Sequence, residues 1–290
     1  MVKCPIRTAR GGPKRDKGAR DAGEGIHMSE PLRIWVAVKH GIDVGLTRPE
    51  PSSGTVPLAT APRKTSDFDK NAVEEAVRIR ERLGGKVTAL SVGLPAAREA
   101  LREALAIGAD EAVLLTDPAV PAFDTRAVAR VLAAAARTLG GFDLLLLGEG
   151  STDHFAGLVG PRVAAELGAP DIAYVRKLTV APGGVVAERD LEREVEVLRA
   201  PFPVVVTVGQ EINTPRLPSF MSNLKASKKE IRSLALSDLG LLPADLAPVV
   251  QTERVAVPEV PRKQITLSGP SLEDVAKQLV ANLRTEGVLP

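Results

Sequence analysis

The chain has 290 residues, 44% apolar and 26% charged, with a formal net charge of +2. That length suffices for one large domain or two small ones with a sizeable core, and no apolar run reaches the roughly 18 residues of a membrane span. The single cysteine, Cys4, excludes an intrachain disulfide framework and a multi-cysteine metal site, and 3% aromatic residues leave few rings for stacking on single-stranded nucleic acid.

Charge is unevenly spread. Residues 1–27 hold Lys3, Arg7, Arg10, Lys14, Arg15, Lys17 and Arg20 against Asp16, Asp21 and Glu24, so the remainder is slightly acidic. The basic character belongs to this leader, and no nucleic-acid-binding face is implied for the rest. The leader is rich in Gly, Lys and Arg, lacks apolar periodicity and reads as disordered. It has no apolar signal-peptide stretch; Met28 opens Met-Ser-Glu-Pro just ahead of the first strand. With no secretory signal and no span, the expected compartment is the cytoplasm.

Leu32–Val38 predicts the first strand, followed by a polar, Pro- and Thr-rich excursion to about Thr65. Helical periodicity starts near Asp69, with Ala72, Val73, Ala76, Val77, Ile79 and Leu83 on one stripe, and Gly84-Gly85 ends it. Lys86–Val92 is a β-branched strand. A helix runs from about Pro95 to Ile107, closed by Gly108. Ala112–Leu115 is a short strand, and Asp124 or Thr125 caps a helix reaching Leu139. Phe142–Leu147 is almost purely apolar, as a strand covered on both faces must be. A helix over about 158–167 follows.

This alternation predicts an α/β fold with an open, mostly parallel sheet flanked by helices. Ligands of such sheets sit beyond the carboxyl ends of the strands, here residues 38–43, 92–94 and 148–160. Past Pro170, Ile172–Val180, Val185–Asp190 and Arg193–Leu198 alternate and predict an antiparallel meander, an insertion over 171–199. Phe202–Val208 is a buried strand that returns to the main sheet. Residues 210–270 are rich in proline and poor in periodicity, and a final helix spans about Ser271–Arg284. A structureless segment of that length suits an arm wrapping a partner subunit. The expected organisation is a leader over 1–27, an α/β domain over 28–209 and a recognition loop with C-terminal arm over 210–290.

The turn Gly148-Glu149-Gly150-Ser151-Thr152-Asp153-His154-Phe155-Ala156-Gly157-Leu158-Val159-Gly160-Pro161 joins the fourth strand to a helix. Glycines there admit a ligand to the backbone, and the helix start offers amide donors to a phosphate. It is neither a Walker loop nor a dinucleotide fingerprint. His27, His40 and His154 have no metal-ligand spacing. His40 with Asp43, or Asp153 with His154, could be drawn as acid–base pairs, with Asp153 and His154 the candidates in the cleft, yet nothing demands an intrinsic catalytic site. Glu74-Glu75 and Glu188–Glu196 read as solvated faces.

The chain from about 32 to 290 resembles the beta subunit of electron transfer flavoproteins. The likeness lies in Val36-Ala37-Val38-Lys39, in Asn71–Arg78, in Ala104-Leu105-Ala106-Ile107-Gly108-Ala109-Asp110, in Leu145–Gly148 with Val159-Gly160-Pro161, and most specifically in Asn213-Thr214-Pro215-Arg216 through Ile231. The resemblance implies an adenine nucleotide alpha hydrolase-like, Rossmann-like fold and a heterodimer with an alpha subunit that supplies most contacts to FAD. It implies electron flow from a flavin-dependent dehydrogenase to a quinone reductase or other acceptor, and an AMP in the beta subunit or, in bifurcating relatives, a second FAD that oxidises NADH. The implied nucleotide contacts are Ala37, Ser66, Asp67, Phe68, Asp69, Val92, Gly148, Ser151, Asp153, Gly157, Leu158, Val159 and Gly160. Leu217, Phe220, Met221 and Lys225 fall in the implied partner-recognition loop, with Phe220 as the anchor.

This sequence departs from the family pattern. Gly157, Leu158 and Val159 replace the polar residues before the glycine, Ser66-Asp67-Phe68 replaces Asn-Pro-Phe, and Val44 stands for a tyrosine near the flavin. These changes weaken an AMP site, and Phe155 and His154 are placed to reshape it. Two other readings, a nucleotide-binding structural subunit and a small α/β hydrolase, share the same fold.

Overall fold

The structure, a computed structural model, describes residues 30–121, 124–248, 250, 252–256 and 262–290. The reading of the leader over 1–27 lies outside the described residues. Strands β1 (Arg33–Ala37), β2 (His40–Ile42) and β3 (Arg63–Thr65) are followed by helix α1 (Asp67–Leu83) and β4 (Lys86–Val92). A short 3-10 turn leads into α2 (Arg98–Ile107), and then come β5 (Glu111–Leu115), α3 (Thr125–Thr138), β6 (Leu144–Gly148) and α4 (Val159–Leu167). The second half holds β7 (Asp171–Ala181), β8 (Gly184–Asp190), β9 (Val195–Pro201), β10 (Val204–Val208), α5 (Phe220–Lys228), β11 (Arg232–Leu234) and α6 (Leu272–Thr285).

One nine-stranded sheet has the order β11-β5-β4-β1-β6-β10-β7-β8-β9. Strands from β11 to β7 run parallel, and β8 and β9 continue antiparallel. This is the expected mostly parallel α/β architecture. The central strands follow their composition: Leu144–Leu147 and all of β10 are buried, because helices cover both faces. One face packs α1 and α2 against Ile34, Val36, Leu144, Leu146, Val204 and Val206. The other packs α3 and α4 against Trp35, Leu145, Leu147 and Val205. Alternate residues of the same strands feed the two cores, the period-two rule of a pleated sheet.

The helices start close to where the sequence places them. The Asp124 carboxylate accepts from the amides of Arg126 (2.8 Å) and Ala127 (3.2 Å), so Asp124 and not Thr125 caps α3. Helix α1 begins two residues before the expected start, with Ser66 as its N-cap.

Three features of the fold go beyond the expectations. The polar excursion after β1 contains a second, two-stranded antiparallel sheet of β2 and β3. The expected antiparallel meander is present as β7, β8 and β9, and because β7 pairs parallel with β10 it extends the main sheet. Residues 210–246 lie against the domain. They cross one face as α5, whose Ala226 is buried with Ile231, form the edge strand β11 beside β5, and bury Leu234, Leu236, Leu239 and Leu246 on the opposite face. This strap wraps its own sheet. Helix α6, by contrast, has no buried residue. Among the described residues no helix is long and apolar enough to cross a membrane.

Candidate functional site

The strand order creates a topological switch point. After β1 the chain builds β4 and β5 on one side, then returns to lay β6 and β10 on the other. The loops leaving β1 and β6 therefore diverge, and a crevice opens between them at the carboxyl ends. Ala37 ends β1, Val92 ends β4 and Gly148 ends β6.

Two aspartates brace this crevice. Asp69, in the first turn of α1, accepts from the backbone amides of Lys39 (2.7 Å) and Gly148 (3.1 Å), linking the ends of β1 and β6. Burial drives its carboxyl up to about 7, against the pull of those two amides and of the Lys39 charge. Asp153, with a side chain only 2% exposed, accepts from Lys39 Nζ (2.6 Å), Ser151 Oγ (2.6 Å) and the amides of Ile42 (3.1 Å) and His154 (2.8 Å). Burial pushes this carboxyl up, but the hydrogen bonds from Lys39 and Ser151 outweigh it and hold it well below the usual carboxylate range. Lys39 is thus shared, its amide with one aspartate and its amine with the other. Burial lowers His154, and burial with the nearby Glu211 raises Glu149.

Close approach explains two glycines. A Cβ on Gly148 would stand 2.6 Å from both Asp69 Oδ1 and Phe68 Cβ. A Cβ on Gly160, in the first turn of α4, would meet Thr207 Cγ2 at 2.4 Å, so α4 rests directly on β10. Gly157 adopts a φ of 63°, in the left-handed region that favours glycine. Leu158 is the N-cap of α4 and gives no side-chain cap. The turn's Phe155 lies edge-on to Phe68, ring centroids 5.3 Å apart, and its ring covers Gly150.

The structure brings Ser66, Phe68, Asp69, Gly148, Ser151 and Asp153 together at this crevice, with Gly157, Leu158, Val159 and Gly160 on its α4 side. Asp67 points elsewhere and pairs with Lys64 at 2.8 Å. The Asp153 carboxylate lies 3.8 Å from His154 Nδ1 and is engaged by four donors, of which Lys39 and Ile42 stitch the turn to the end of β1 and to β2. The oxygens Ser66 Oγ and Ser91 Oγ are buried without a hydrogen-bond partner among the described residues.

A second feature lies on the strap. Leu217 (94% exposed), Phe220 (80% exposed) and Met221 project from the start of α5, and Lys225 is exposed further along it. They form a surface of their own, separate from the crevice residues in the hydrogen-bond network.

Two roles are invisible in the sequence pattern. Lys39 is the shared donor of the crevice, although only its place at the end of the first strand marks it. Glu74 and Glu75 are not a solvated face: Glu74 is 1% exposed and Glu75 8%. Glu74 receives Arg216 Nε (2.8 Å) and Arg78 Nε (2.5 Å), and Glu75 receives Asn213 Nδ2 (3.1 Å). Burial raises both carboxyls, but the hydrogen bonds from Arg216 and then Arg78 leave Glu74 below its ordinary value, whereas Glu75 stays raised. The Asn-x-Pro-Arg stretch was the available signal for this pairing, without its partners.

The family model described as electron transfer flavoprotein domain matches residues 56–239. A protein named electron transfer flavoprotein subunit beta from Thermoanaerobacterium thermosaccharolyticum is 36% identical over 254 residues, 87% of this chain and 94% of that one. Its namesake from Megasphaera elsdenii is 36% identical over 210 residues, 70% of this chain and 78% of that one. The one from Mycobacterium tuberculosis is 38% identical over 180 residues, 60% and 68% of the two chains. With the family model matching more than half of the chain and a 36% identical relative covered over 94% of its length, the chain belongs to the electron transfer flavoprotein beta-subunit family.

Proposed function

We propose that this chain is the small subunit of a heterodimer that carries electrons from a flavin-dependent dehydrogenase to a downstream acceptor through FAD shared with a large subunit. The observation that carries this reading is the family match, by the family model over residues 56–239 and by a relative aligned over 87% of the chain. Bound FAD supplies the one-electron chemistry, and the protein positions it and tunes it.

The crevice residues fit an adenine nucleotide in part. Support comes from the buried Ser66 Oγ at its edge, which has no hydrogen-bond partner among the described residues, from the helix start at Leu158–Gly160 with no side-chain cap, and from the Phe68–Phe155 ring pair. A phosphate would take backbone donors of the α4 start, and Ser66 and Ser151 would offer hydroxyls. Lys39 is the basic side chain in the crevice hydrogen-bond network, and Asp153 engages it. That arrangement suits a modestly held AMP. Val159-Gly160-Pro161 favours a second reading, a further FAD in the same place that accepts hydride from NADH. The apolar start of α5 serves as the docking element for the dehydrogenase, with Phe220 as the anchor.

The test is electron transfer by the purified complex with its large subunit. A flavin-dependent dehydrogenase with its own substrate should bleach the complex's flavin absorbance, and an added acceptor should restore it. Bleaching by NADH alone would select the second reading. A complex whose flavin neither a dehydrogenase nor NADH reduces would refute both.

A further inference from the structure

The start of α5 is held by a bracket. Arg216, one residue before the exposed Leu217, donates through Nε to Glu74 Oε2 (2.8 Å) and through Nη2 to Glu74 Oε1 (3.2 Å). Its Nη1 and Nη2 reach the two oxygens of Glu81 at 2.7 and 2.9 Å, and its backbone amide reaches Glu74 Oε2 at 3.2 Å. One guanidinium thus spans two turns of α1 with paired, planar bonds that a lysine cannot copy. Asn213 and Asn71 bond reciprocally, each side-chain amide donating to the other's backbone carbonyl, and Arg78 donates to the Thr214 carbonyl at 3.0 Å. The far end of α5 is fastened too. Arg102 donates to the carbonyls of Ala226 and Lys229, and Lys229 Nζ donates to those of Ala109 (2.9 Å) and Asp110 (3.2 Å). Between these two fixed ends a single residue of α5, Ala226, is buried. Packing alone therefore gives this helix little hold on the domain.

From this geometry we infer that Arg216 is a positioning residue for docking: by gripping Glu74 and Glu81 it sets Leu217, Phe220 and Met221 in place before the dehydrogenase arrives. The inference rests on the reading of α5 as the docking element. A pre-set anchor spares the complex the ordering entropy of a loose loop, and the gain is read in affinity rather than in the rate of electron transfer. The partner that such a surface fits presents an apolar pocket for Phe220 with acids near Lys225 and Lys228, which lie exposed further along the helix.

The test uses the complex with the large subunit and two readouts. In hydrogen exchange, Arg216→Gln should speed the amides of 217–228 by about tenfold while β1, β4 and β6 keep wild-type rates, with Arg216→Lys between the two. Unchanged exchange over 217–228 overturns the inference. In flavin reduction by the dehydrogenase that reduces the wild-type complex, Arg216→Gln should raise the KM for the complex about tenfold and leave kcat within about twofold. A lowered kcat at unchanged KM also overturns it. Phe220→Ala separates the layers. If it leaves KM unchanged, the docking reading fails and takes the inference with it. If it raises KM while Arg216→Gln does not, docking stands and the bracket alone fails.

Discussion

At the switch-point crevice the acids are sunk inward. Asp69 and Asp153 accept bonds from backbone amides of three different segments, and the neighbouring chain closes over them. Along the strap the direction reverses. Arginines standing on α1, α2 and α3 donate outward to main-chain carbonyls: Arg78 to Thr214, Arg98 to Ile231, Arg102 to Ala226, Arg126 to Ala247 and Arg130 to Asp245. The crevice lies where the strand order puts it, so its side chains act as struts between elements already fixed by two hydrophobic cores. The strap has short elements and little core of its own until it reaches Leu234, and it is tied down bond by bond. Damage at the crevice should therefore be felt by the whole domain, and damage along the first part of the strap should stay local.

Gly148→Ala attacks the crevice side of this contrast. The added methyl must displace both Asp69 and Phe68, and it should cost about 1–3 kcal/mol, seen as a lower Tm of the complex. Arg98→Gln, which frees the Ile231 carbonyl and Ser233 Oγ on the first part of the strap, should cost clearly less. Equal losses from the two variants would erase the distinction.

The pH dependence of stability sharpens the comparison. Folded Asp69 keeps its proton up to about pH 7, whereas an unfolded aspartate loses it near 3.8. Between those limits the folded state binds more protons, so this group's contribution falls as pH rises, by at most about 1.4 kcal/mol per pH unit. Asp171, raised by burial to about 6, acts in the same direction up to that pH. Asp153 and, on the strap contact, Glu74 have the opposite sign: their lowered values add stability that is lost as pH falls below the ordinary carboxylate range. Asp69→Asn should flatten the decline in Tm between about pH 5 and 7. Parallel wild-type and variant curves would show that Asp69 does not titrate there.

The smallest effect belongs to Phe220→Ala. The ring touches so little of its own chain that stability should move by no more than about 0.5 kcal/mol. A larger loss in thermal melts would mean that the ring is packed in the complex and is unavailable as an anchor.

The same contrast explains what the sequence discloses. Leu144–Leu147, Val204–Val208 and the stripe of α1 announce themselves through composition and period, and together they imply the sheet and the place of the crevice. The bonds inside the crevice are another matter. Nothing local says that the Lys39 amide and amine go to separate aspartates, 30 and 114 residues away. Glu74 and Glu75 look like solvent-facing helix residues because their partners, Arg216 and Asn213, lie far along the chain. Helix α5 buries only Ala226 and β11 has three residues, too little for periodicity to register. The family resemblance located that stretch, but it did not reveal that the strap wraps its own sheet.

The most direct measurement of the central claim is the flavin and adenine nucleotide content of this chain purified with its large subunit. The account predicts a stable one-to-one complex holding FAD, with AMP in the crevice at no more than equimolar amount, or a second FAD if the chain belongs to the bifurcating branch. A chain that forms no complex, or a complex that holds no flavin, would contradict it.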